Sequence, residues 1–124
     1  METIKINATE DTPNVILDPV NNLFEISGRS LPEDVVVFYQ PVMQWLDELD
    51  KDPIQNMLLS IKLEYFNTAS SKLILDILLK LEAMFQKGTR LKVKWYFLSN
   101  DSDMKEAGEE YSEIVELPFE LEEY

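Results

Sequence analysis

Apolar and polar residues alternate with period two in several short stretches of this chain, and recur at helical spacing between them. Asn14-Val15-Ile16-Leu17-Asp18 and Leu23-Phe24-Glu25-Ile26-Ser27 read as strands. The turn-forming Pro19-Val20-Asn21-Asn22 joins them into a hairpin. Residues 1–13 are polar apart from one Ile-Lys-Ile alternation, and fit either a short edge strand or a loose arm. Gly28 to Glu33 reads as a loop, with Ser30 and Glu33 at capping-box spacing. Val35, Phe38 or Tyr39, Val42, Trp45 or Leu46, and Leu49 then form a helical stripe. Pro41 lies inside it, lacks a backbone donor, and predicts a kink or a break.

Residues 55–66 alternate again, with Met57, Leu59, Ile61, Leu63 and Tyr65 on one face and Leu58, Ser60, Lys62, Glu64 and Phe66 on the other. A helical pattern runs from Leu73 to Phe85, and Gly88 suits its C-terminal stop. Thr89 to Phe97 is the clearest strand: Leu91, Val93, Trp95 and Phe97 face in, while Arg90, Lys92 and Lys94 face out. Asn100 to Glu110 predicts a short helix interrupted near Gly108. Ile114-Val115-Glu116-Leu117 predicts a last edge strand, and Pro118 to Tyr124 a loose acidic tail. This order predicts an α/β (α+β mixed) fold, with one domain over residues 1–124. Its sheet is mixed, with an N-terminal hairpin and helices mainly on one face.

Composition removes functions rather than adding them. The 124 residues include 24 acids against 11 bases, a formal net charge of -13. Nucleic acid and anionic membranes both require a Lys/Arg surface, so neither is expected as a partner. The absence of cysteine and histidine removes the thiol nucleophile, the commonest general base and the commonest metal ligands. No cofactor and no metal are expected. Asp101, Asp103, Glu106, Glu109 and Glu110 lack the spacing of a calcium loop and read as a solvated helix. Neither a signal peptide nor an apolar run of membrane-spanning length is present, so a cytoplasmic location is expected.

What remains is the junction Tyr65-Phe66-Asn67-Thr68-Ala69-Ser70-Ser71-Lys72, where a strand gives way to a helix. Asn67 or Thr68 can cap that helix. A hydroxyl at a helix N-terminus can also carry a phosphate, which meets free N–H groups and the positive end of the dipole. Lys72 lies one turn on and could pair with it. Thr68 is therefore the candidate phosphoacceptor of a non-enzymatic regulator. Asn67, Ser70, Ser71 and Lys72 are supporting or secondary residues. A rival reading is a constitutive scaffold or small-ligand binder, with Trp45, Trp95 and Tyr96 lining a pocket.

The same run resembles the signature of the SiaC family of regulatory phosphoproteins. So do Thr12-Pro13, Gly28-Arg29-Ser30 with Pro32-Glu33, Trp45, Val93-Lys94-Trp95-Tyr96, Gly108-Glu109-Glu110 and Pro118-Phe119. The resemblance covers nearly the whole chain. It implies a STAS-like fold, of the anti-sigma-factor-antagonist type, and a partner-switching role. It further implies a Ser/Thr kinase acting on Thr68 and a PP2C-type phosphatase reversing it. The effector implied is a diguanylate cyclase bound by the unphosphorylated form, with control of cyclic-di-GMP and biofilm behaviour.

Overall fold

A computed structural model describes all 124 residues of the protein. The strands are β1 (Ile4–Ile6), β2 (Asn14–Asp18), β3 (Leu23–Ser30), β4 (Asn56–Phe66), β5 (Arg90–Phe97) and β6 (Phe119–Glu123). The helices are α1 (Val35–Lys51), α2 (Thr68–Gln86) and α3 (Ser102–Ile114). One sheet has the strand order β1-β2-β3-β4-β5-β6; the first three strands are antiparallel, and the last four run parallel. Helical crossovers join the parallel strands, so the chain adds each strand beside the one before.

The registers line up apolar rows across the sheet. Leu17, Phe24, Leu59, Val93 and Phe119 form one row, and Val15, Ile26, Ile61, Trp95 and Leu121 form the next. The buried apolar side chains of all three helices belong to the same core as these rows. The other face carries Glu25, Ser60, Lys62, Lys92, Lys94 and Glu120, and stays open to water. One-sided burial of this kind results directly from the alternation in the strands.

Several boundaries differ from the sequence expectation. Of the two readings of residues 1–13, the edge strand is the one realised, at Ile4–Ile6, and the Trp45 indole donates to the Glu2 carbonyl at 2.8 Å, tying the N-terminus down. Gly28-Arg29-Ser30 continues β3 instead of forming a loop, so no Ser30–Glu33 capping box exists. Asp34 is the cap of α1, its carboxylate accepting from the Val37 N–H at 3.2 Å. Pro41 neither breaks nor interrupts α1. It sits on the wet side, while Tyr39, Val42, Trp45, Leu46 and Leu49 anchor the turns around it.

α3 likewise runs through Gly108 without a break and includes Ile114, so residues 114–117 are not a strand. The last strand is instead the acidic tail, which is ordered rather than loose. Phe119 stacks on Trp95 at 6.2 Å between ring centroids, and Lys92–Glu120 and Lys94–Glu122 pair across the open face. Core contact and neutralised charge together hold β6 in place.

Candidate functional site

An irregularity in β4 sets the geometry of the junction. Leu63 pairs with Gly28 but Tyr65 pairs with Arg29, so Glu64 is an extra residue on the β4 side. An extra residue reverses the facing of every later residue in the strand. Tyr65, expected inside, is 48% exposed, with the Arg29 guanidinium 5.6 Å from its ring centre. Phe66, expected on the mixed face, turns inward and meets Trp95 edge-on at 6.1 Å. Gly28 takes φ +98 beside this shift, a left-handed conformation that glycine adopts without strain.

The strand then passes to α2 through a single residue. Asn67 is extended, and its side-chain carbonyl accepts from the Ser70 N–H at 2.8 Å. That cap starts the helix at Thr68, five residues before the first residue of the apolar periodicity, Leu73. Of the two capping candidates, Asn67 is the cap and Thr68 is the first helical residue. The N–H groups of Thr68 and Ala69 have no acceptor within the helix. Both residues are exposed. An accessible hydroxyl therefore stands beside two open amide donors at the positive end of a 19-residue helix. Lys72 is exposed one turn on and enters none of the ion pairs.

The two serines are held in different ways. The Ser71 hydroxyl donates to the Thr68 carbonyl at 2.6 Å, within the first turn. The Tyr111 phenol of α3 donates to the Ser71 carbonyl at 2.7 Å and so clips α3 to that turn. Burial, reinforced by the Glu110 carboxylate, pushes the Tyr111 pKa up to about 12. Ser70 faces the interior and has no exposed surface. Its hydroxyl donates to the Ser30 carbonyl at 2.9 Å and accepts from the Ser30 hydroxyl at 2.8 Å. Since Ser30 spends its one proton there, the Tyr39 phenol donates to Ser30, at 2.7 Å. Burial raises the Tyr39 pKa above the ordinary tyrosine value. Ser70 thus supports the junction from within, sealed away from any modifying enzyme.

Phe66, Ser71, Lys72, Leu75, Ala107, Glu110, Tyr111 and Ile114 line a groove of about 240 Å³ between α2 and α3, next to this turn. Its floor is apolar and its rim carries one charge of each sign. Chemically, the junction can receive an anion on Thr68 and present it to a docked partner. Ser30, Tyr39 and Tyr111 carry no signal of this role in the sequence, because they lie about 40 positions or one whole element away from the residues they hold.

The aromatic-pocket reading fails on geometry. Trp45 and Trp95 are buried, with indoles donating to the Glu2 and Met104 carbonyls. Tyr96 comes after Trp95 in the same strand and therefore points to the opposite face, where Lys62 and Lys94 lie 5.7 Å from its ring. The three share no pocket. Asp101 caps α3 by accepting from the Met104 N–H at 3.0 Å, and no cluster of acids is arranged to hold a metal ion. No helix is long and apolar enough to cross a membrane.

The pattern of the SiaC family of regulatory phosphoproteins matches residues 6–124. An uncharacterised protein of Pseudomonas aeruginosa is 28% identical over 122 residues, 98% of this chain and 97% of that one. The structure of SiaC of Pseudomonas aeruginosa superposes with a TM-score of 0.91, at 27% identity and full coverage of both chains. A second structure holds that SiaC in complex with the diguanylate cyclase SiaD, of which it is the activator. There the TM-score is 0.92, at 27% identity, covering 98% of this chain and 99% of that one.

Proposed function

Because this chain belongs to the SiaC family of regulatory phosphoproteins, we propose that it is a non-enzymatic partner-switching regulator set by reversible phosphorylation of Thr68. The observation that carries the reading is the exposed Thr68 at the first position of α2. There it combines an accessible hydroxyl, open amide donors and a free Lys72. A Ser/Thr kinase adds the phosphate in the cytoplasm, and a PP2C-type phosphatase removes it.

The effector is a diguanylate cyclase, by analogy with the SiaC–SiaD complex. It binds the unphosphorylated protein, so the switch controls cyclic-di-GMP output. Phosphate adds about -1.5 to -2 charges at neutral pH. A partner seated over the start of α2 would have to desolvate that dianion, and is released instead.

The test is a binding and cyclase assay with a purified diguanylate cyclase from the same genome. Thr68→Ala is expected to fold normally, to resist labelling by the kinase and to activate the cyclase constitutively. Phosphothreonine at position 68 is expected to weaken binding at least tenfold, with Thr68→Glu a partial mimic. Equal binding by all four forms would sink the proposal, as would labelling by the kinase at another residue.

A further inference from the structure

The core of this protein excludes polar side chains with two exceptions. Ser30 and Ser70 are the fully buried polar residues, and they hydrogen-bond each other. They lie on different elements, at the end of β3 and in the first turn of α2, two residues beyond Thr68. Tyr39 of α1, itself 0% exposed, completes the set. Three hydroxyls are thereby ordered into a one-way chain: Tyr39 to Ser30, Ser30 to Ser70, and Ser70 to the Ser30 carbonyl.

Stability alone does not account for this chain. Burying hydroxyls is unfavourable until each finds a partner, and an apolar trio of the same shape is nearly neutral by comparison. Capping does not account for it either, because Asn67 already takes the Ser70 N–H. What the chain adds is direction. The Ser70 side chain is joined to β3 through both its donor and its acceptor, so the first turn of α2 cannot rotate or fray without breaking two bonds. Helix ends otherwise fray readily.

We infer that Tyr39, Ser30 and Ser70 form a hydroxyl clamp that positions the first turn of α2, and with it the Thr68 and Ala69 N–H groups that receive a phosphate on Thr68. The three are positioning residues. They touch neither the phosphate nor a partner, and act by holding the amides. The inference rests on the proposed phosphorylation of Thr68. A dianion recruits amides strongly only when they are already oriented towards it, since otherwise ordering the turn offsets the gain.

The experiment uses the full chain carrying phosphothreonine at position 68, installed during synthesis, with the second phosphate pKa read by phosphorus NMR. A free phosphothreonine titrates at about 6. In the intact clamp, oriented amides and the helix dipole are expected to lower that value by a few tenths of a unit or more. The triple variant Ser30→Ala, Ser70→Ala, Tyr39→Phe removes every hydroxyl together and leaves no orphan. It is expected to keep the fold and to return the phosphate towards the free value. Tyr39→Phe alone removes only the terminal donor, leaves every remaining proton satisfied, and is expected to give a smaller shift in the same direction. If the triple variant does not fold, this single variant decides.

Variants that titrate like the parent overturn the clamp while leaving Thr68 as the acceptor. A parent phosphate that titrates like a short phosphopeptide also overturns it. The acceptor assignment itself is decided separately, by kinase labelling of Thr68→Ala.

Discussion

Within the first turn of α2, Thr68 and Ser70 have opposite fates. Two residues rotate a helix by about 200°, so one hydroxyl faces water and the other the core. Ser70 lies four residues before Ile74 and so shares the apolar face of α2, and packing against β3 and α1 completes its burial. Gly108 is a second case where a single residue is decided by its neighbour. A Cβ there would lie 2.4 Å from Cδ1 of Trp95. That indole cannot yield: it is fully buried, bonded to the Met104 carbonyl at 3.0 Å, and surrounded by Phe66, Tyr111 and Phe119. Helix propensity favours Gly108→Ala by about 1 kcal/mol, while overpacking opposes it by about 1–3 kcal/mol or more. Overpacking wins, so this variant is expected to unfold at lower urea concentration than the parent. A midpoint equal to the parent's would show that α3 can slide on the sheet.

Among the elements, the strands of the hairpin, β4 and β5 were legible because alternation over five or more residues leaves one face to bury. The ends of elements were less so. Phe119-Glu120-Leu121-Glu122 alternates as well as β2 does, yet the acids Glu120, Glu122 and Glu123 beside the chain end suggest solvent. Phe119 packs on Trp95, and Lys92 and Lys94, also far off in sequence, pair with Glu120 and Glu122; together these make it a strand. The same applies to Pro41. Locally it should end α1, but five buried side chains hold the helix on the sheet and outweigh the lost bond. Because Pro41 is exposed, Pro41→Ala restores a donor to the Val37 carbonyl without disturbing the core. It is expected to stabilise the protein by about 1–3 kcal/mol, read as a rise in thermal midpoint. A fall would mean that the proline's rigid φ matters more than the missing bond.

For the molecule as a whole, buried phenols set an alkaline limit. The Tyr111 pKa is raised to about 12, above the usual 10, and Tyr39 is shifted the same way. Folding therefore favours the protonated phenols. Their contribution is complete below the unfolded value of about 10 and is lost as pH rises through the folded value. Thermal midpoints measured across that range should fall, and Tyr111→Phe should flatten the fall while lowering stability at neutral pH by about 1 kcal/mol, the worth of its bond to Ser71. An identical slope in this variant would assign the limit to other groups. By itself, the sequence determined the one-sided strands, the two long helices, the acidic surface and the strand-to-helix junction, because each is written in the spacing of neighbouring residues. Tertiary structure alone decided the extra residue in β4, the pairing that holds the acidic tail as a strand, and the partners that seal Ser70 inside. Those outcomes depend on partners brought together from distant parts of the chain, and local periodicity carries no record of them.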